Sequence, residues 1–356
     1  MKNKRILYVD QLCQGGHIGF NNIYIKALYD QNITIDFALK TGYENNLDLS
    51  TDATVFSLPE KYYRKTNNNI LYRFNLYRIL VYIISNISFD KYDSILISSF
   101  EEISLFFADF KKPLILVHHN NLKSLNNPIK KYFFEKVINK NINIVFEKNI
   151  KNIFDSLGVK NTYVVEHGLP KKLNKSLFEY SSFLSQIEIN GYNKVIFSPS
   201  SSSSDRLFFM ELFKDNVFQD FLHINNILFI IKGDYQINNM NNIKVINLFL
   251  PVSEYEYLFL NSDIIIINYP KTFRNRTSGI FWECVANDKL CLLSDIKVFA
   301  GYGRFMKYVP FFNTIEEFML KIFETLNLDE GLKKNPYLDK GKLTPNFKEL
   351  LESDLF

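Results

Sequence analysis

Short apolar runs alternate with segments of helical periodicity from the first residues of the chain. Apolar runs of four to eight residues are typical of buried strands, and their alternation with helices is typical of a parallel sheet covered on both faces. In the first half the predicted strands are RILYVD (5–10), TIDFAL (34–39), SILISS (94–99), LILVHH (114–119), INIVFE (142–147) and YVVEHG (163–168). The predicted helices there span about residues 20–30, 70–86, 101–109, 128–138 and 148–156.

A second alternating series follows a break at residues 170–190, which hold a proline and mixed polar residues but no strong strand. Its predicted strands are KVIFSPS (194–200), NILFIIKG (226–233), NIKVINL (242–248), DIIIINY (263–269) and KLCLLS (289–294). Its predicted helices are RLFFMELFKD (206–215), VSEYEYLFLNS (252–262), SGIFWECVAN (278–287) and IEEFMLKIFETL (315–326).

The two series predict an α/β chain with two Rossmann-like, doubly wound domains. The expected boundaries are residues 1–175 for the N-terminal domain and 186–330 for the C-terminal domain, followed by a tail, 331–356, that packs back on the first domain. Ligands bind at the carboxyl ends of strands in open parallel sheets. We therefore expect the two sheets to present these ends to each other across a cleft that holds the ligands.

The composition and charge of the chain argue against several classes of protein. The formal charge is only +4, from 42 basic and 38 acidic residues, which does not indicate a nucleic-acid partner. The three cysteines form no CxxC pair, so neither a disulfide framework nor a zinc site is expected, and a reducing cytoplasm fits. The most apolar stretches fall short of the roughly 20 residues that span a bilayer. We expect a cytoplasmic protein, soluble or peripheral on the inner face of the cell membrane.

The segment RNRTSGIFWECVAND (274–288) carries candidate anion-binding chemistry at a predicted helix start. Backbone N–H groups and the helix dipole attract a phosphate there, Arg276 adds a cation, Thr277 and Ser278 add hydroxyls, and Gly279 permits close approach. Glu283 lies one turn further along the same face of the helix, where its carboxylate is a candidate acceptor of hydrogen bonds from a ribose diol. The alternative is that Thr277 or Ser278 is an ordinary N-cap and Glu283 an exposed helix residue.

Two other loops at the same predicted sheet edge carry cations. Arg206 follows the serine-rich stretch SPSSSSSD, and Lys232 with Gly233 ends the strand NILFIIKG. Converging cations and N–H donors are what a nucleoside diphosphate requires. Taken singly, a cation at such a position is more often a solvated surface residue than a ligand contact.

Four segments in order resemble the donor-binding domain of GT-B glycosyltransferases over roughly residues 194–300. They are VIFSPSSSSSDR (195–206), FIIKGD (229–234), VSEYEYLFLNSDIIIINYP (252–270) and FRNRTSGIFWECVANDKLCLLSDIKVF (273–299). The resemblance implies GT-B architecture and a nucleotide-sugar donor, of UDP or GDP type, with no other cofactor. In the large retaining group of that family the helix start carries two glutamates with seven residues between them. Glu283 matches the second, which binds ribose in that family, whereas Asn275 stands at the first.

The first domain offers further candidates, two glycines for donor binding and a histidine for catalysis. Gly15 and Gly16 follow the first strand and permit close backbone approach to a phosphate or a sugar, as in the glycine-rich loop of GT-B enzymes. His17 follows them, as in some inverting GT-B enzymes, and is a candidate general base; its alternative roles are to cap the helix or to contact the sugar.

Further catalytic candidates lie at two other strand ends. His118 and His119 end the fourth predicted strand, and only one of them can line the cleft directly because successive strand residues face opposite ways. The preferred one is His118. Glu101 follows the third strand.

No DxD motif is present in the sequence, so we predict no metal requirement. The stretches KYYRKTNNNILYRFNLYRILVYI (61–83) and NNPIKKYFFEKVINKN (126–141) interleave cations with aromatic residues. That composition suits an anionic membrane surface, unless the aromatic residues are core and the cations are merely solvated.

The sequence thus predicts a metal-independent glycosyltransferase of hexosyltransferase type that uses an NDP-sugar to extend a glycan or a lipid-linked acceptor in surface polysaccharide biosynthesis. The alternatives are a GT-B-like protein that binds a nucleotide without catalysis and a nucleotide-sugar epimerase of the same architecture. The sugar, the base, the acceptor and the stereochemical outcome stay open.

Overall fold

The computed structural model describes residues 4–64, 66–173, 187, 189–199, 206–235, 240–247, 250–273, 277–333 and 343–353. These residues form two compact units. The first contains residues 4–168, residue 277 and the C-terminal residues 343–353, and the second contains the rest, from Leu169 on. Each unit is built on its own sheet.

The first unit contains a seven-stranded, wholly parallel sheet with strand order β3-β2-β1-β4-β5-β6-β7. The strands are β1 (Arg5–Asp10), β2 (Thr34–Lys40), β3 (Val55–Leu58), β4 (Ser94–Ser99), β5 (Leu114–Val117), β6 (Ile142–Val145) and β7 (Thr162–Val164). The strand order reverses between β1 and β4, which pair in register from Ile6 opposite Ser94. A crevice forms at the carboxyl ends of two strands at such a switch point.

Helices cover both faces of this sheet. They are α1 (Ile18–Tyr29), α2 (Asn69–Asn86), α3 (Glu102–Phe107), α4 (Pro128–Lys140), α5 (Lys148–Ser156) and, at the C-terminus, α12 (Lys348–Leu351). Alternate residues of β1 face opposite layers: Ile6 and Tyr8 pack with α1 and α12, whereas Leu7 and Val9 pack with α2, α3 and α4. Burial on both faces explains why these strands read as continuous apolar runs.

The second unit contains a six-stranded parallel sheet with strand order β10-β9-β8-β11-β12-β13. The strands are β8 (Lys194–Ser198), β9 (Ile227–Lys232), β10 (Ile243–Ile246), β11 (Ile264–Ile267), β12 (Leu290–Ser294) and β13 (Phe311–Phe312). The helices are α6 (Arg206–Leu212), α7 (Asn216–Ile224), α8 (Val252–Asn261), α9 (Gly279–Ala286), α10 (Ile315–Leu326) and α11 (Glu330–Lys333). The switch point lies between β8 and β11.

The C-terminal segment completes the core of the first unit. Phe347 and Leu350 are buried there, and the Phe347 ring meets Tyr24 of α1 edge-on, with 5.1 Å between ring centres. Gly168 has a positive φ of 80°, and a Cβ on it would lie 2.5 Å from Ile23 and 2.8 Å from Pro345. Only glycine fits where the chain leaves the first unit under this segment.

Among the described residues, five strands and helices were absent from the sequence prediction: β3, α7, β13 and the four-residue helices α11 and α12. The strand β3 has four residues at the sheet edge and is followed by Pro59, so its apolar signal is short. The helix α7 begins directly after α6, at the cap Asp215, and the apolar positions of the two merge along the sequence. No helix in the described ranges is long and apolar enough to cross a membrane.

Candidate functional site

Asp10, the last residue of β1, anchors the loop that leads to α1. Its Oδ1 accepts hydrogen bonds from the backbone N–H groups of Leu12 at 3.1 Å and Cys13 at 2.8 Å, and from the hydroxyl of Ser99. Its Oδ2 accepts a 2.8 Å hydrogen bond from Asn21 Nδ2. Both oxygens of a fully buried carboxylate are thus used to fix one loop. The sequence offered one signal for it, a carboxylate at the carboxyl end of the first strand.

Gly15, Gly16 and His17 form a single turn of 3-10 helix after that loop. The two glycines are exposed, and a Cβ on either would meet no atom within 4 Å. The two glycines therefore leave the backbone open to an approaching ligand. Neither of them is required by a strained backbone conformation. His17 occupies the N-cap position of α1, but its side chain makes no capping hydrogen bond.

The His17 ring stacks on His119, with 4.6 Å between ring centres and 14° between ring planes. His119 Nε2 is 3.0 Å from the Ser98 carbonyl oxygen, which fixes the ring, and Phe20 contacts its edge. Burial lowers the pKa of His17, although the charge of Asp10 raises it. Burial, and then repulsion by His17 and His167, lowers the pKa of His119. Both rings are therefore neutral at neutral pH, the state that a proton acceptor requires.

A cavity of about 220 Å³ opens beside this pair. Its walls come from the ends of β1, β4 and β5, which is the switch point of the first sheet, together with the start of α4. Charged and hydroxyl groups among its lining residues are Ser99, Glu102, Lys123, Ser124 and Lys130. Lys130 lies 3.4 Å from Glu102, and the Ser124 hydroxyl donates to the same carboxylate. Its size suits one sugar unit better than a larger ligand, since drug-sized sites run from about 300 to 1,000 Å³.

Two of the predicted catalytic residues lie outside this cavity. His118 is buried among Phe100, Phe134 and Phe154, and its Nε2 lies 2.9 Å from Asn143 Oδ1. Because burial lowers its pKa to about 4, it is a neutral core residue. The neighbouring His119 lines the cavity instead, since β5 ends at Val117 and strand alternation no longer decides which residue faces it.

Glu101 also has a structural position. Its side chain caps α3 by accepting from the backbone N–H of Ser104 at 2.7 Å. Its other oxygen accepts from Arg73 at 2.9 Å. The next residue, Glu102, lines the cavity. Sequence alone could not show which of Glu101 and Glu102 faces the cavity, because both follow the carboxyl end of β4.

In the second unit, the predicted phosphate-binding segment begins α9. Ser278 is the N-cap: its hydroxyl oxygen accepts from the backbone N–H of Phe281 at 3.3 Å, and its side chain is buried against Tyr269. Gly279 is the exposed first helical residue, with no atom within 4 Å of a Cβ placed on it. Thr277 belongs to the first unit, where its hydroxyl donates to Glu147 at 3.2 Å.

Glu283 is held by a tyrosine that the sequence analysis did not single out. The Tyr255 hydroxyl, on α8, donates a short hydrogen bond to Glu283 Oε2. Burial raises the pKa of Glu283, although this hydrogen bond acts in the opposite direction. Burial and the charge of Glu283 raise the pKa of Tyr255. Glu283 is thus a partly buried, oriented hydrogen-bond acceptor rather than an exposed helix residue.

The structure describes only some of the remaining residues that were predicted to bind the donor. Lys232 is the last residue of β9, and the N–H of Gly233 donates to the Ile246 carbonyl at 3.0 Å. Arg206 begins α6, and its side chain lies outside the described part of the structure, as do Asn275 and Arg276. At the same edge of this sheet, a cavity of about 240 Å³ lies beyond β11, β12 and β13, lined in part by Tyr269.

No protein-family model matches the sequence, and no curated protein matches it. Solved structures do share its fold. HepE of Anabaena, in complex with UDP and glucose, is 12% identical, with a TM-score of 0.65 and 96% of each chain covered. Sucrose-phosphate synthase from Thermosynechococcus elongatus is 11% identical, with a TM-score of 0.64, 98% of this chain and 96% of that chain covered.

A third similar structure is the trehalose-6-phosphate synthase OtsA, which is 13% identical, with a TM-score of 0.62, 99% of this chain and 96% of that chain covered. The likeness spans both sheets because nearly the whole of each chain is covered. It confirms the predicted fold class: two parallel-sheet α/β domains of the GT-B type.

Proposed function

We propose that this protein is a glycosyltransferase that moves a sugar from an NDP-sugar, of UDP or GDP type, to a hydroxyl of a glycan or a lipid-linked acceptor in surface polysaccharide biosynthesis. The main support is the cavity at the switch point of the first sheet, where two neutral imidazoles stand beside an anchored, glycine-rich loop. HepE, whose structure contains UDP and glucose, shares the fold.

In this proposal the acceptor occupies the cavity and His17 is the general base. Its imidazole takes the proton of the acceptor hydroxyl while the oxygen forms a bond to the anomeric carbon of the donor sugar. The bond from that carbon to the diphosphate breaks, and the diphosphate leaves with the electron pair. His119 stacks on His17 and fixes its orientation. Asp10 holds the loop that carries His17, so it acts as a positioning residue.

The donor is assigned to the second unit. Glu283, oriented by Tyr255, would accept hydrogen bonds from the ribose hydroxyls. The diphosphate would lie at the start of α9, where Gly279 leaves the backbone open and Arg276, Arg206 and Lys232 supply cations. Groups that stabilise the leaving diphosphate as its charge grows are expected to supply most of the rate enhancement. No metal is assigned to this step.

The experiment has two stages. A thermal-shift screen against nucleoside diphosphates and NDP-sugars should show a rise in Tm with one UDP- or GDP-sugar and its diphosphate. With that donor and a pool of glycan and lipid-linked acceptors, free nucleoside diphosphate should appear only when an acceptor is added. If the donor binds but no acceptor causes release of the nucleoside diphosphate, the protein is a nucleotide-binding protein without transferase activity. If the donor is converted into its epimer, the protein is an epimerase. Either result contradicts the proposal.

A further inference from the structure

Helices α2, α3 and α4 carry large apolar side chains on their outward sides. The helices pack as neighbours on one face of the first sheet, where Leu76, Leu105 and Val137 share a core cluster. Their six most exposed apolar side chains define what we call the α2–α4 surface: Ile70, Leu71, Phe74, Phe107, Ile129 and Tyr132, which are 47% to 78% exposed. A cluster of this kind differs from the isolated exposed apolar residues that any protein has.

Aromatic contacts make part of this surface continuous. The Phe107 ring lies 5.1 Å from Phe106 and 5.7 Å from Phe133, and Tyr132 lies 5.5 Å from Phe133, measured between ring centres. The rings join α3 to α4. Packing against Phe106 and Phe133, which are only partly exposed, keeps the outer rings of Phe107 and Tyr132 in place. The α3 and α4 part of the surface therefore has packed aromatic rings without any partner.

Cations surround these apolar residues. The Arg78 guanidinium lies 5.8 Å from the ring centre of Phe74, and Lys136 Nζ lies 5.7 Å from that of Tyr132. Helix α2 contains two arginines and no acidic residue, and α4 contains four lysines and one glutamate. Long cationic side chains can lie along an apolar surface while keeping their charged ends in water.

The acidic residues nearby are already paired. Glu101 binds Arg73 at 2.9 Å, Glu102 is buried beside Lys130 at 3.4 Å, and Glu135 lies 3.7 Å from Lys131. Among the described residues, no carboxylate is within 4.0 Å of Arg78, Lys136 or Lys140, whose charges remain available to an external anion. The α2–α4 surface therefore combines exposed aromatic side chains with an excess of positive charge.

We propose that the α2–α4 surface binds the headgroup region of an anionic lipid bilayer. Apolar and aromatic side chains enter the boundary between headgroups and acyl chains, while Arg78, Lys136 and Lys140 contact lipid phosphates. Charge favours this partner over a second copy of the chain, because symmetric pairing would bring cations against cations. The inference is independent of the proposed sugar transfer, since neither donor nor acceptor is needed for binding.

The test is sedimentation of the full-length protein with vesicles of phosphatidylcholine alone or of phosphatidylcholine mixed with phosphatidylglycerol. The wild type should sediment with the mixed vesicles, and this binding should weaken as salt is raised. Arg78→Gln with Lys136→Gln should lower the partition coefficient by about tenfold or more. The matched control is Lys297→Gln, at an exposed position in the second unit, which should bind as the wild type does.

The apolar contribution has its own matched pair. Phe107→Ala should weaken binding, whereas Phe323→Ala should not, because Phe323 is comparably exposed at 54% against 58% but lies on α10 of the second unit. Tm values within a few degrees of the wild type would show that each variant folds. Absence of binding, equal binding to both vesicle types, equal loss in Phe323→Ala, or a lipid-free dimer that Phe107→Ala abolishes would overturn the inference.

Discussion

The imidazole rings of His17 and His119 stack face to face, with 4.6 Å between their centres. Residues 102 positions apart are brought together because β1 and β5 flank β4, so the segments after β1 and β5 meet at one edge of the sheet. The stack gives the cavity a rigid wall with ring nitrogens that are neutral at neutral pH. The proposed proton transfer depends on this pair.

Replacement of His17 by alanine should lower kcat by about 100-fold or more, the usual contribution of a general base. The KM for the donor should change little, because the donor is assigned to the second unit. Steady-state kinetics of nucleoside diphosphate release would measure both values. The control is His223→Ala, at an exposed histidine of α7, which should keep full activity. A His17→Ala protein with nearly normal kcat would exclude the base role.

Replacement of Asp10 by asparagine should shift the pH profile of kcat/KM. The Asp10 charge raises the pKa of His17, so its removal lowers that pKa. Activity requires neutral His17 and is lost as pH falls through the pKa, so the acidic limb should move to lower pH. Asparagine keeps one oxygen for the N–H groups of Leu12 and Cys13. A merely structural Asp10 would lower the rate at every pH without moving the limb.

Glu283 and Tyr255 should have opposite effects on donor binding. Glu283→Gln should raise the Kd for the NDP-sugar by about tenfold or more, because hydrogen bonds to a charged acceptor contribute about 1.5–3 kcal/mol. Tyr255→Phe should leave binding equal or tighter, since the tyrosine hydroxyl occupies the carboxylate in the free protein. Calorimetric titration would measure both.

The control for this pair is Glu316→Gln, at an exposed position of α10. It should bind the donor as the wild type does. If Glu283→Gln binds normally while Tyr255→Phe loses affinity, the ribose contact belongs to the tyrosine and the assignment of Glu283 fails.

The stability of the first unit should decrease as pH falls from about 6.5 to about 4. Burial lowers the pKa of His118 to about 4, so the unfolded chain binds a proton in this window and the folded chain does not. The free energy of unfolding therefore falls, by up to about 3 kcal/mol for one such histidine. His118→Gln should make the dependence less steep in urea titrations without abolishing it, because burial also lowers the pKa values of His119 and His167. His223→Gln should leave the slope unchanged. An equally steep dependence in His118→Gln would show that the titrating group lies elsewhere.

Transfer should proceed in the presence of EDTA. The expectation rests on the missing DxD motif and on a diphosphate site that uses Arg206, Lys232 and Arg276 as its cations. The rate of diphosphate release should be equal with EDTA and with added Mn²⁺. Loss of activity with EDTA and its recovery with Mn²⁺ would contradict metal independence.

Much of the fold follows from sequence because buried parallel strands read as unbroken apolar runs. The predicted RILYVD and SILISS coincide with β1 and β4, and the predicted helix 148–156 coincides with α5. The edge strand β3 was missed because an edge position needs fewer apolar residues than a central one. Local pattern therefore identified the central strands better than the edge of the sheet.

The site was less accessible to prediction because it depends on side-chain direction and on distant partners. The alternation of side chains along a strand favoured His118 as the residue that lines the cavity. The strand β5 ends at Val117, before this alternation can apply, and His119 lines the cavity instead. Tyr255 could not be paired with Glu283 from sequence, since the two are 28 residues apart on different helices. The position of His17 beside the cavity could be predicted, because the glycines before it mark an open loop after a strand, whereas its role stays a prediction.

The burial of Phe347 and Leu350 in the core of the first unit has a practical consequence for anyone who wishes to produce that unit by itself. A gene fragment that stops at Gly168 would encode all seven strands but would leave Tyr24 facing water where the Phe347 ring belongs. Fusing residues 343–353 to such a fragment through a short linker would restore the missing side chains. Purification tags are for the same reason better placed at the amino terminus.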